Sequence, residues 1–287
     1  SLSGYAELAL SLGLDASAML RRAGLQPRSL SDPETPISTQ AVRRLLEDSA
    51  RASGAEDFGL CLAARRSLSN LGPLSLVLKE EPSARAALDT LCRYLCLLNA
   101  SLVTRLEEAD GLLRISEDLL AEPGVQQQQS MQLAVGVMHR TLQELLGSRW
   151  QPLWVGLKQA PVREPERFER FFGARVVFGA HFNGIVCRAS DLAQGRSGSH
   201  TPMAAFARRY LDGELSRGER SAQTTIRQLV TALLPGGRCT AQQVALHLGV
   251  DRRTLHRHLS AEDTDFSTVL QAVRLEMAGQ QLRQSQR

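Results

Sequence analysis

The chain has 287 residues, of which 43% are hydrophobic and 22% are charged, and its formal net charge is +4. This composition is typical of a globular protein with room for two domains, which excludes a disordered or fibrous chain. No apolar run reaches the length of a membrane span and the N-terminus lacks the features of a secretion signal, so we expect a cytoplasmic protein without membrane contacts.

The first hundred residues have the apolar spacing of helices. One helical pattern runs from Tyr5 to Ala23 and is broken at Gly24. Ser38 and Ser83 are good caps for two longer helices that follow them. Shorter helical segments are expected at 58–66 and 74–78. This part of the chain is therefore predicted to be a helical scaffold.

Strand patterns appear after residue 100. Apolar runs at 102–107 and 112–116 flank a polar turn, which predicts a hairpin. The pair Asn183-Gly184 between apolar runs in 176–188 predicts a second hairpin. Helices are expected at 126–146 and 165–172, and a strand is expected at 153–157. Together these elements predict an α+β domain, a helical scaffold with a small antiparallel sheet.

The last part of the chain has only helical patterns. A short helix is expected at 203–215, and the polar run that follows it marks a domain boundary. We place an N-terminal domain at residues 1–215, a linker at 216–223 and a second, all-α domain at 224–287. From residue 221 onward there are eight arginines and five acidic residues, so this segment holds +3 of the net charge of +4.

The segment 240–259 predicts two short helices joined by a turn. Thr240 and Gln243 have the spacing of a capping box, which marks where the first helix begins. Gly249 can adopt the left-handed backbone that ends this helix, and Asp251 can cap the second one. This is the arrangement of a helix-turn-helix.

One face of the second helix suits a nucleic-acid groove. If Leu255 and Leu259 point inward, Arg253 and Arg257 lie on the opposite face. A guanidinium group can bind the edge of guanine through two hydrogen bonds or bind a phosphate, and a helix of this size fits the major groove. Phosphate is the expected partner of Arg252, nearer the helix start. The candidate DNA-binding residues are Thr240, Arg252, Arg253, Thr254, His256 and Arg257.

These residues also carry a family resemblance. The run RRTLHRHL, the helix start Phe266-Ser267 and the run VRLEMAGQQL at 273–282 resemble the first half of the DNA-binding domain of AraC/XylS-type transcription regulators. The resemblance implies sequence-specific binding of double-stranded DNA by two helix-turn-helix units joined by a linker helix, here residues 266–282. The chain ends at Arg287, where the second unit would begin, so we expect that unit to be missing.

The N-terminal part has a resemblance of its own. The runs FGLCLAARR at 58–66, LGPL at 71–74 and FFGARVVFGAHFNGIV at 171–186 resemble the arabinose-binding-like N-terminal domain of one subgroup of these regulators. This implies a small-molecule effector of unknown identity, a homodimer and a contact with RNA polymerase. It also implies activation of transcription rather than repression. The match names no residues that contact the effector.

The sequence shows no pattern typical of catalysis. It has no phosphate-binding glycine motif and no nucleophile elbow, and His139 lies in an apolar helix as a core histidine would. The five cysteines favour buried thiols over a metal site. We therefore expect no enzyme, no cofactor and no metal. Two alternatives stay open: a protein-interaction module that uses the C-terminal helical hairpin, and an enzyme within the N-terminal domain.

Overall fold

The described part of the chain up to residue 98 is helical. A computed structural model describes residues 2–31, 37–119, 126–195, 201–217, 222–234, 239–248 and 250–285. The first helices are α1 (Tyr5–Ser11), α2 (Ala16–Ala23), α3 (Arg28–Ser31), α4 (Thr39–Ser53), α5 (Phe58–Ala64), a short 3-10 helix (Leu68–Leu71), α6 (Pro73–Glu80) and α7 (Ala84–Leu98). Ser38 and Ser83 cap α4 and α7 through their hydroxyl groups, as predicted.

The single helix predicted over residues 5–23 is wrong, because the structure has two. The backbone of Gly13 is left-handed, with φ of +72°. Asp15 then caps α2, and its Oδ1 accepts a hydrogen bond from the backbone N–H of Ala18 at 3.0 Å. Gly24 ends α2 in the left-handed conformation, as predicted. The apolar spacing continues through the break, which is why periodicity alone did not reveal it.

A five-stranded sheet lies among these helices. Its elements, in chain order with the helices between them, are β1 (Leu102–Ala109), β2 (Leu112–Leu119), α8 (Gln128–Leu146), β3 (Trp154–Leu157), α9 (Pro165–Phe172), β4 (Arg175–Phe178), β5 (Gly184–Arg188) and α10 (Ala189–Ala193). The strand order is β1-β2-β5-β3-β4. The β1–β2 hairpin is confirmed, and Asp110 and Gly111 form its turn with positive φ angles.

The second predicted hairpin is wrong. Strand β3 lies between β4 and β5 and pairs parallel with β4, so the sheet is mixed and not purely antiparallel. The Asn183 side chain instead accepts a hydrogen bond from the backbone N–H of Lys158 at 2.8 Å. A Cβ atom on Gly184 would lie 2.0 Å from the carbonyl oxygen of Ile115. Gly184 thus allows β5 to pack closely against β2. An Asn-Gly pair can serve such packing or a tight turn, so the pair alone does not predict a hairpin.

After α10 the described residues form five more helices: α11 (Pro202–Arg217), α12 (Ala222–Leu233), α13 (Ala241–His247), α14 (Arg252–Ser260) and α15 (Phe266–Ser285). The last four share one apolar core, whose members include Val230, Val244, Leu255 and Val273. Val103 of β1 belongs to the same core, and α13 packs against α7. Of the predicted linker 216–223, residues 218–221 lie outside the described residues.

No helix in the described ranges is both long enough and apolar enough to cross a membrane.

Candidate nucleic-acid interface

The start of α14 is fixed by Asp251. Its Oδ1 accepts a hydrogen bond from the backbone N–H of Thr254 at 2.6 Å. This bond lowers the pKa of the Asp251 carboxyl group, because it stabilises the charged form. The cap satisfies one of the unpaired N–H groups at the helix start and holds α14 at a defined entry angle.

The start of α13 has the predicted capping box. The backbone N–H of Thr240 donates to Oε1 of Gln243 at 3.3 Å, and the N–H of Gln243 donates to Oγ1 of Thr240 at 3.2 Å. Thr240 itself is exposed. Gly249, predicted to turn the chain between α13 and α14, lies outside the described residues.

The two faces of α14 differ sharply. Leu255 and Leu259 are completely buried in the core shared by α12 to α15. The opposite face is open to solvent, and Thr254 at its edge is half-buried. The exposed residues of this helix that were named from the sequence are Arg252, Arg253, His256 and Arg257. Five of the six candidate residues therefore lie on α14, and Thr240 lies at the start of α13.

This surface is positively charged. The guanidinium groups of Arg252, Arg253 and Arg257 form no hydrogen bond or ion pair with any other residue in the described ranges. Helix α14 itself contains no acidic residue. Two cap carboxylates interact with this face: the Thr254 N–H bond and then Arg257 lower the pKa of Asp251, and the Thr268 N–H bond and then His256 lower the pKa of Asp265. The arginines are thus available to an external anion.

Helix α15 supports this surface from behind. Its first turn is capped by Asp265, whose Oδ1 accepts a hydrogen bond from the Thr268 N–H at 2.7 Å. Sequence reasoning missed this cap, although an Asp just before an apolar stripe is a signal for one. Arg227 of α12 forms an ion pair with Glu276 of α15 at 2.6 Å. Helices α12 and α15 are therefore joined by an ion pair as well as by the core that the four helices share.

A cleft in the N-terminal part could hold a small polar molecule. It has a volume of about 230 Å³ and lies between residues 54–57 and the start of α9. Arg163 and Glu56 form an ion pair at 3.3 Å there, and Arg167 and Asp57 form one at 3.4 Å. Both signs of charge are therefore present. No sequence motif signalled this cleft, because its two sides come from segments about a hundred residues apart.

Two buried titratable groups lie outside these surfaces. His139 is completely buried against the rings of Phe171 and Phe172, and burial lowers its pKa to about 4, so it is neutral as a core histidine would be. Glu117 of β2 is buried too, and desolvation raises its pKa to about 8. Thr104 donates to Oε1 of Glu117 at 3.5 Å, and Oε2 has no partner among the described residues.

No three His, Cys, Asp or Glu side chains lie close enough together to hold a metal ion in the part of the chain that the structure describes.

Comparison with known proteins gives consistent matches. Residues 13–195 match the family model described as the arabinose-binding domain of AraC transcription regulators, N-terminal. The chain is 26% identical to the HTH-type transcriptional regulator VirS of Mycobacterium tuberculosis, over 99% of this chain and 84% of that protein. It is 22% identical to the ornithine utilization regulator of Pseudomonas aeruginosa, over 98% of this chain and 85% of that protein.

A solved structure has a similar fold. The crystal structure of the transcriptional regulator CdpR from Pseudomonas aeruginosa superposes with a TM-score of 0.52. The match covers 96% of this chain and 86% of that chain, at 18% sequence identity. At this identity the likeness concerns the fold alone.

Proposed function

Because the chain belongs to the AraC-type transcription regulators that carry an arabinose-binding-type N-terminal domain, we propose that it is a sequence-specific DNA-binding regulator that activates transcription. The observation that carries this proposal is the face of α14, where exposed arginines that form no ion pair with a carboxylate of the described residues lie opposite two buried leucines. Such a face can release counterions from DNA phosphates and reach the base edges of the major groove.

In this proposal α13 and α14 form a helix-turn-helix, and each candidate residue has a role. Arg253 and Arg257 lie centrally on the exposed face and would contact base edges, with Thr254 and His256 beside them. Arg252 at the start of α14 and Thr240 at the start of α13 would contact phosphates, because helix N-termini favour anions. Helix α15 would be the linker helix that follows this unit.

The proposed domains correspond to the two roles of such a regulator, effector binding and DNA binding. Residues 1–215 would form the effector and dimerisation domain, 216–223 the linker, and 224–287 the DNA-binding domain with its linker helix. A small-molecule effector would bind the N-terminal domain, and the charged cleft beside α9 is the candidate place. RNA polymerase would be the partner in activation, in the cytoplasm where the chromosome lies. The relatives are named as regulators and not as enzymes, which supports the prediction that this chain is not an enzyme.

The test is DNA affinity as a function of salt. Binding sites are first selected from a random double-stranded library, and fluorescence anisotropy then gives the dissociation constant at several salt concentrations. The logarithm of affinity should fall by about 0.9 per tenfold rise in salt for each phosphate contact. A salt-independent affinity, or no binding above that of an unrelated protein, would contradict DNA binding and would favour the protein-interaction module.

Substitution of Arg253 by alanine assigns its role. If this side chain reads a guanine, discrimination against other bases at one position should fall by about 1–3 kcal/mol. Equal weakening on every sequence, with a salt slope reduced by about 1, would make it a phosphate contact. Arg22→Ala, an exposed arginine on α2, is the matched control and should change neither quantity. An Arg253→Ala variant that binds as the wild type would remove this residue from the interface.

A further inference from the structure

The cleft beside α9 holds more negative than positive charge. Its two walls, residues 54–57 and 162–168, bring three carboxylates and two guanidinium groups together, those of Glu56, Asp57, Glu164, Arg163 and Arg167. One negative charge is therefore in excess. The other lining residues are small or apolar, and a cleft of this kind concentrates the electric field of its charges. The cleft should therefore attract a cationic molecule.

The charges of the cleft are paired unevenly. Arg163 pairs with Glu56 at 3.3 Å, and its backbone N–H donates to Oε2 of Glu56 at 2.8 Å, which lowers the pKa of that carboxyl group. Arg167 pairs with two carboxylates at once, Asp57 at 3.4 Å and Glu164, and both raise the pKa of its guanidinium group. Glu164 thus shares Arg167 with Asp57, and its side chain is 62% exposed, so it can accept a second cation from solvent.

Arg163 can bind an anion as well. Its side chain is 78% exposed, and its ion pair with Glu56 uses Nε. No residue of the described ranges accepts a hydrogen bond from its two terminal NH2 groups. A guanidinium group binds a carboxylate through two parallel hydrogen bonds. Exposed ion pairs contribute little to stability, so a carboxylate that joins Arg163 disturbs the fold little.

Unused polar atoms lie next to the wall formed by residues 54–57. Nε2 of Gln132 donates to the Glu56 carbonyl at 2.9 Å and to Oε1 of Gln159 at 3.1 Å. Gln132 is 1% exposed, yet its Oε1 and the Nε2 of Gln159 have no hydrogen-bond partner among the described residues. Buried polar atoms without partners are rare in native folds and call for an explanation. An acceptor and a donor are thus held one hydrogen bond from the cleft wall, which favours a polar ligand over an apolar one.

We propose that this cleft binds a basic amino acid, a molecule with one carboxylate and two cationic groups. The carboxylate binds Arg163, the α-ammonium group binds Glu56, and the side-chain cation binds Glu164, so the net positive charge of the ligand cancels that of the cleft. This inference rests on the proposed function, in which the cleft is the effector site, and it adds the chemical class of the effector. The volume of about 230 Å³ is below the range of about 300–1,000 Å³ for drug-sized ligands, which agrees with a molecule of this size.

Isothermal titration calorimetry of the full chain tests the chemical class. L-lysine should bind with a dissociation constant below about 1 mM, within the range of cellular substrate concentrations. Cadaverine lacks the carboxylate of lysine, and norleucine lacks its side-chain ammonium group. Each should bind at least about tenfold more weakly, because one charged hydrogen bond is lost. No measurable binding of L-lysine, or an analogue that binds as tightly as L-lysine, would overturn the proposal.

Two exposed positions test the place of binding. Glu164→Gln removes the excess negative charge and should weaken L-lysine binding at least about tenfold, while norleucine binding stays nearly unchanged. Arg163→Ala removes the partner of the carboxylate and should abolish the preference for L-lysine over cadaverine. Arg85→Ala removes an arginine from a surface ion pair with Glu108 and is the matched control, which should bind L-lysine as the wild type does. Thermal melting without ligand checks that each variant is folded.

Wild-type affinity for L-lysine in both cleft variants would place the site elsewhere and overturn the proposal. All these titrations are done without DNA. A negative result therefore rejects the ligand class and leaves the proposed DNA binding intact, whereas loss of DNA binding alone leaves the ligand site intact.

Discussion

Replacing Glu117 by glutamine should stabilise the protein at pH 8 and leave its stability almost unchanged at pH 5. The Glu117 carboxyl group is buried in β2, and burial raises its pKa from an ordinary value of 4.5 to about 8. Between these two values the folded protein holds a proton that the unfolded chain has lost. The stability contributed by this group is therefore complete below pH 4.5, and it is lost as the pH rises towards 8.

The size of the effect follows from the two pKa values. One proton changes the free energy of unfolding by about 1.4 kcal/mol per pH unit at most. With a folded-state pKa of about 8, the wild type should lose about 3 kcal/mol between pH 5 and pH 8 because of Glu117. Glutamine cannot ionise, and its oxygen can still accept the hydrogen bond of Thr104, so the Glu117→Gln variant should not show this loss.

Urea unfolding at half-unit steps from pH 5 to pH 8 measures the difference. Glu108→Gln on β1 is the control, because the Glu108 side chain is half-exposed in an ion pair with Arg85. Its removal should cost at most about 1 kcal/mol, with little change over this pH range. Wild-type and Glu117→Gln curves that run parallel from pH 5 to pH 8 would mean that Glu117 is charged in the folded protein, which would refute the reasoning.

Substitutions at two further positions, Asp251 and Gly184, test local contacts. Asp251→Ala removes the acceptor for the Thr254 N–H and should lower the free energy of unfolding by about 0.5–2 kcal/mol in urea titrations. Asp251→Asn keeps the acceptor, and loss of the negative charge beside the phosphates should raise DNA affinity in the anisotropy assay; unchanged affinity would separate this residue from the interface. Gly184→Ala would place a Cβ 2.0 Å from the Ile115 oxygen and should abolish a sharp thermal transition in circular dichroism. Gly195→Ala, whose Cβ would meet nothing within 4 Å, should melt as the wild type does, and equal melting of both variants would contradict the β2–β5 packing.

The sequence predicted helix starts well because their determinants are local. Ser38, Ser83, Thr240 and Asp251 each bond to a backbone N–H three residues ahead, so both partners stand in one short window. The inward and outward faces of α14 follow from 3.6-residue periodicity in the same way. These short sequence segments do not show what α14 contacts, so its binding to DNA stays a proposal.

Long-range pairing could not be derived in this way. The acceptor on Asn183 bonds to Lys158, 25 residues earlier, and Gly184 packs against Ile115 on a strand formed much earlier in the chain. Nothing near the Asn-Gly pair distinguishes close strand contact from a tight turn. Glu117 did have a signal, because it follows Leu113 and Ile115 at two-residue spacing on the buried side of β2.

Val103 connects β1 of the N-terminal part with the core of helices α12 to α15. Its backbone belongs to β1, whereas its side chain is buried in the core of α12 to α15. Returning a valine of this kind to water costs about 1.5–3 kcal/mol. A metabolite at a hundred times its dissociation constant supplies about 2.7 kcal/mol of binding free energy. The two quantities are of similar size, so under the proposed function a small molecule would shift the docking of the α12 to α15 core on β1 only if it bound one of the two arrangements more tightly than the other.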